Sequence, residues 1–148
     1  VSTKLVASLE ACLGTAFCLY TKAHAFHWNV TGASFPQLHE MFGRLYADLH
    51  TAVDDIAEHI RALDSFPPSG TKALYDLSAV EDDNGTKASG DMLRQLVKDV
   101  EAFLEVLRSA EEQAEEDEAC GVENFLQGII DAFEKWRWML KATASKAA

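Results

Sequence analysis

The chain has 148 residues, 48% hydrophobic and 25% charged, which suits one globular domain over residues 1–148 with a sizeable core. A formal charge of −11 excludes nucleic acid as the main partner unless cations are segregated on one face, and the sequence has no basic run of that kind. With no stretch of about 18 apolar residues, no basic leader and an odd count of three cysteines, the expectation is a cytoplasmic protein, outside the membrane, with reduced thiols.

The elements follow in chain order from apolar spacing. Leu5, Leu9, Leu13, Phe17 and Tyr20 step by three or four and predict a first helix. A second, longer one runs through Phe35, Leu38, Phe42, Leu45, Leu49, Val53, Ile56, Ile60 and Leu63. Ser34 with Gln37 three residues on, and Pro36 in the first turn, predicts a capping box at its start, and "DSFPPSG" predicts its end. From Ser65 to about Thr86 lies a long connection in which "KALYDLSAV" has the periodicity of a short helix and "EDDNGT" reads as loop. Leu93, Leu96, Val100, Phe103 and Leu107 then mark a third long helix, and Val122, Phe125, Ile129 and Phe133 a fourth.

The connections set the architecture. "NVTGAS" and the residues around "DEACG" are short enough to join antiparallel neighbours, whereas the connection between the second and third long helices is too long for a hairpin. One long crossover between two helical hairpins is the ferritin-like topology: an all-α four-helix bundle with a short extra helix in the crossover.

Chemistry concentrates at one corner. "HAFHWNVTGASFPQLHE", residues 24–40, holds three of the five histidines. Imidazole and carboxylate suit iron, manganese or zinc, and the candidates are His24, His27, His39, Asp54 and Glu58. An antiparallel hairpin brings His27 and His39 to the same end of the bundle. Asp54 and Glu58, four apart on one helical face, form a second half-site. These halves cannot meet within one chain, because His39 and Asp54 are separated by roughly 22 Å along a single helix. Nor does the chain contain a Glu-x-x-His pair with which to build a di-iron centre inside the bundle. Either the two clusters are incidental, or two chains pack antiparallel so that each histidine half faces an acidic half across a two-fold axis.

"KAHAFHWNVTGASFPQLHEMF" followed by "AVDDIAEHIRAL" closely resembles the paired signature of the Dps family of miniferritins, and the resemblance extends over essentially the whole chain, more loosely in its last 60 residues. It implies a hollow dodecamer, built from two-fold dimers, that oxidises iron(II), preferably with hydrogen peroxide, and stores the iron(III) mineral. It also implies metal ligands His27 and His39 from one subunit with Asp54 and Glu58 from the other. Where the family usually has an acidic residue four positions after the second histidine, this chain has Gly43, so one firm metal position and a weak second are expected. His59 stands where the family often has Arg. In the family, the corner between the last two long helices surrounds a pore that admits iron, which makes Asp117, Glu118 and Glu123 candidates for a cation funnel.

Bland readings stand beside these. The run "EEQAEEDE", residues 111–118, suits a solvated surface, although acids at a helix C-terminus oppose the helix dipole. His24, His50, His59, Tyr46, Trp136 and Trp138 read as packing or polar surface, and Trp28 as packing or as an oxidisable ring beside the metal. Two other functions stay open: a DNA-coating nucleoid protein, against which the acidity and the scarcity of terminal lysines speak, and a shell that buffers zinc or manganese with little oxidase activity.

Overall fold

The computed structural model describes residues 2–145, so Lys146, one of the two C-terminal lysines, lies outside it. Five helices account for the described residues, with no strand: α1 (Thr3–Asn29), α2 (Phe35–Ala62), α3 (Thr71–Leu77), α4 (Ser89–Glu116) and α5 (Cys120–Ala144). The four long helices form two hairpins, α1 with α2 and α4 with α5. The hairpins join chiefly through α1 and α4, while α2 and α5 meet over a short stretch. The short α3 sits in the crossover and packs on α1. No helix of the described residues is long and apolar enough to cross a membrane.

The predicted stripes are buried for the most part, with instructive exceptions. Leu5, Leu9 and Leu13 lie in the core, but the stripe of α1 continues through Ala16, Leu19, Ala23 and Phe26 and leaves Phe17 and Tyr20 half-buried on a flank. On α5 the core face is Val122, Leu126, Phe133, Trp136 and Leu140, with Phe125 and Ile129 at its edge. Trp136 is buried and its indole N–H donates to Asp48 across the α2–α5 contact at 2.8 Å. Trp138 is not packing at all within the chain: it is 64% exposed.

Helix ends follow local chemistry. Ser2 caps α1, its hydroxyl accepting from the Leu5 amide at 3.1 Å. Ser34 precedes α2 as expected, yet its side chain makes no capping bond, so the expected capping box does not form and Pro36 in the first turn is left as the starting signal. At the far end Asp64 takes a left-handed φ of 62° and the Ser65 amide bonds back to the Ile60 carbonyl at 3.2 Å, a closure that ends the helix before the two prolines.

Two devices fix the crossover to α1, and a third joins the hairpins. A Cβ on Gly14 would lie 2.5 Å from the Leu74 carbonyl and 2.8 Å from the Leu77 Cβ, so only glycine lets α3 press this closely on α1. Thr15, fully buried, accepts from the Ala79 amide at 3.0 Å and ties down the residues after α3. Deeper in the bundle, Lys22 of α1 meets Asp99 of α4 at 2.7 Å with both side chains out of solvent, and the Gln95 amide donates to the other Asp99 oxygen at 2.8 Å. That satisfaction is what a buried ion pair requires to be tolerated.

Candidate metal centre

The hairpin between α1 and α2 builds the histidine half of the site. His27 sits in the last turn of α1 and His39 in the second turn of α2, and their rings stack with centroids 3.8 Å apart and planes 16° from parallel. Each is held by the backbone of the other: His27 Nδ1 lies 2.6 Å from the His39 carbonyl, and His39 Nδ1 lies 2.7 Å from the His27 carbonyl. A carbonyl only accepts, so both Nδ1 atoms carry the proton. Both Nε2 atoms are thereby lone-pair donors, fixed in tautomer and orientation in the way that metal-binding imidazoles generally are. Phe35 stacks on the outer side of His39 at 5.0 Å.

The carboxylate half lies further along α2. Asp54 and Glu58 are both exposed, and the Glu58 carboxyl is held above its ordinary range, first by a hydrogen bond with Asp54 and then by that group's negative charge. The two carboxyl groups stand close enough to repel one another, and a divalent ion held between them would relieve that repulsion. Among the described residues no three His, Cys, Asp or Glu side chains converge on a common point. The two candidate clusters therefore stay apart, about 22 Å from one another along α2, one offering imidazole and the other carboxylate.

Gly43 lies against the histidine half. A Cβ at this position would stand 3.1 Å from both Cε1 and Nδ1 of His27, so the imidazole occupies the space that a side chain would take. Gly43→Ala should push the His27 ring and loosen its bond to the His39 carbonyl, lowering zinc affinity by about tenfold, the low end of what loss of an orienting contact costs. Isothermal titration checks this; unchanged affinity would show that the ring has room to spare.

Around the histidines runs a row of rings that sequence reasoning left as packing. His24 stacks flat on Tyr46 at 3.9 Å and faces Trp28 at 4.4 Å. Tyr46 is 5.3 Å from His27 and 6.2 Å from Tyr20, which is 5.2 Å from His50. The signal was available: positions 20, 24 and 28 on one helix, and 46 and 50 on the next, repeat at one helical turn. Burial, followed by the neighbouring His27 and His50, holds the His24 imidazole below its ordinary range. His59 is unrelated to this row; it stacks on Phe125 at 3.7 Å and joins α2 to α5.

The acidic corner is more ordered than a solvated run. Asp117, the C-cap of α4, accepts from the Ser2 hydroxyl at the start of α1 and from the Gln113 amide at 2.9 Å. The Ser2 bond is the main reason that its carboxyl lies below the usual range. It also places a negative charge beside the N-terminus of α1, where the helix dipole favours it. Glu118 follows with a left-handed φ of 55°. A carboxyl lowered by folding contributes stability above its unfolded value, and that contribution is lost as the pH falls through the folded value. Asp117→Asn should therefore lower the melting temperature at neutral pH, with the gap to the unaltered protein closing in acid. A gap that is the same at both pH values would contradict this.

Comparison with known proteins places these features. A sequence profile of the ferritin-like domain matches residues 6–148. "DNA protection during starvation protein 2" of Bacillus anthracis is 35% identical over 124 residues, covering 84% of this chain and 85% of that one. The crystal structure of Dps from Staphylococcus aureus superposes with a TM-score of 0.92 at 28% identity, covering 97% of this chain and 96% of the other. The chain belongs to the Dps family of ferritin-like proteins. A further Dps relative, from Vibrio cholerae O1, is a member of a broad superfamily of ferritin-like diiron-carboxylate proteins; it superposes at a TM-score of 0.92 with 26% identity, over 96% of this Dps chain and 89% of its own. The expected bundle with its extra crossover helix is thus the Dps fold.

Proposed function

We propose that this Dps-family chain oxidises iron(II), with hydrogen peroxide as the preferred oxidant, and stores the iron(III) product inside a shell of twelve chains assembled from two-fold dimers. The observation that carries the reading is the reciprocal clasp of His27 and His39. It leaves two Nε2 lone pairs side by side at the edge of the hairpin, with no third ligand in reach among the described residues. Asp54 and Glu58 of the partner chain supply the missing ligands, because an antiparallel isologous dimer sets each histidine half opposite an acidic half.

In this reading the two imidazoles and two carboxylates bind iron(II) as substrate, and the mixed nitrogen and oxygen set suits that ion as it suits zinc and manganese. Two iron(II) ions give peroxide two electrons, so with two protons the O–O bond breaks to two waters and no hydroxyl radical is released. Trp28, next to His27 in the chain, is the ring oxidised before more distant groups. Gly43 offers no carboxylate, so each site holds one ion firmly and a second weakly. Asp117, Glu118 and Glu123 draw cations toward a pore between subunits. Stopped-flow oxidation of iron(II), with peroxide compared against oxygen, tests the proposal: fast oxidation by peroxide that vanishes in His27→Ala, His39→Ala supports it, and a rate no greater than that of free iron(II) refutes it.

Coating of DNA is disfavoured by the charge of −11 on each chain, which repeats around an assembled shell and repels phosphate. No gel retardation is expected at neutral pH and physiological salt; a salt-sensitive shift under those conditions would reverse this reading.

A further inference from the structure

We infer that Trp28, Tyr46 and Tyr20, with His24 and His50 between them, form an electron relay that joins the two metal sites of a dimer, so that one iron(II) at each site jointly supplies the two electrons that peroxide takes. The inference rests on the intersubunit site proposed above, and it answers a difficulty of that site. When iron(II) is scarce and the weak second position is empty, each site holds one iron(II), and the second electron has to arrive from elsewhere.

Three observations support it. The row is continuous: from His27 to Tyr46 is 5.3 Å, from Tyr46 to Tyr20 6.2 Å and from Tyr20 to His50 5.2 Å, while His24 stacks on Tyr46 and links it to Trp28. It lies on one flank of the α1–α2 hairpin at the edge of the core, with Trp28 and His50 exposed and Tyr20, His24 and Tyr46 half-buried. Finally, its length fits the symmetry. If His39 stands opposite the partner's Asp54 and Glu58, the two-fold axis crosses α2 at roughly residue 47 or 48, midway between the halves. The row reaches His50, beyond that midpoint. Rows from the two chains therefore overlap, with His50 within about one helical turn of the partner's Tyr46. A set of rings that served only to pack the hairpin would have no reason to extend past the axis.

The electron count closes. At one site peroxide takes one electron from the iron(II) bound there and one from Tyr46, whose phenol gives its proton to water on this half-exposed face. The O–O bond breaks and, with two protons, two water molecules form. Tyr46 is then reduced through Tyr20 and the partner's row by the iron(II) of the other site, and it regains its proton. Two iron(II), one peroxide and two protons yield two iron(III) and two waters.

The test uses the assembled protein and the double variant Tyr20→Phe, Tyr46→Phe, which keeps both rings and removes their redox function. The first measurement is on metal-free shells in a Trp138→Phe background, so that Trp28 is the exposed indole. After one-electron oxidation by pulse radiolysis, the indolyl radical should pass to tyrosine in the parent and persist severalfold longer in the double variant. In the second, shells are loaded with one iron(II) per site and mixed with peroxide in the presence of a spin trap. The unaltered protein should oxidise two iron(II) per peroxide with little trapped radical. The double variant should oxidise one per peroxide and release severalfold more hydroxyl radical, while its zinc affinity is unchanged. Should the double variant fail to assemble, Tyr20→Phe alone cuts the path between sites and carries the same comparison. Equal stoichiometry and equal radical yield in variant and parent would overturn the relay and leave the metal site standing. An unaltered protein that oxidises no iron would overturn both.

Discussion

Mixing two inactive variants should restore iron oxidation. One lacks the imidazoles (His27→Ala, His39→Ala) and the other lacks the acids (Asp54→Ala, Glu58→Ala); under the proposed intersubunit site each alone has only broken sites, because a complete site would draw one half from each chain. In a mixed dimer the acid-lacking chain provides intact histidines opposite the intact acids of its partner, while the second site receives neither half. About half of all dimers are mixed on random pairing, so roughly a quarter of the native sites should return after co-refolding. The rate of peroxide-driven iron oxidation measures this, with differently tagged variants co-purified to demonstrate pairing. Co-purified mixtures that stay at background would mean that the histidine and acid clusters serve separate purposes.

The second large effect concerns stability. Lys22→Met alone leaves the Asp99 carboxylate buried without its cation, and Asp99→Leu leaves the Lys22 ammonium in the same position. Each single change should cost about 3–5 kcal/mol, the usual result of stranding one member of a buried pair. Replacing both together, Lys22→Met with Asp99→Leu, should recover most of that loss, since apolar groups of similar size need no partner. Urea unfolding at one fixed protein concentration gives the comparison. Single variants within about 1 kcal/mol of the parent would show that water reaches the pair, contrary to its burial.

How much of this was legible beforehand depends on whether the signal was local. Leucines at one helical spacing announced α1, α2 and α4 because burial of a single stripe needs no knowledge of the neighbour. On α5 the same rule selected Phe125 and Ile129, whereas the bundle buries Leu126, Trp136 and Leu140; a helix with apolar residues on two flanks leaves the choice to its partners. Ser34 and Gln37 had the spacing of a capping box, yet the turn entering α2 does not aim the hydroxyl at an amide. The site divides in the same way. Spacing alone separated the histidine cluster from the acidic one and left either incidental clusters or a second chain as the explanation, but the stacking of His27 on His39 depends on how two helix ends meet. Lys22 and Asp99, 77 residues apart, gave no sign of one another.

Because each imidazole bonds to the chain segment that carries the other, closing the turn between α1 and α2 and shaping the histidine half of the site are one event. Nothing remains to be reorganised when an ion arrives, so little binding energy is spent on order. The same arrangement makes the histidine half only as durable as the turn. If the turn opened, both Nδ1 hydrogens would lose their carbonyls and the two Nε2 lone pairs would part, so loss of the corner's shape and loss of its paired imidazoles go together.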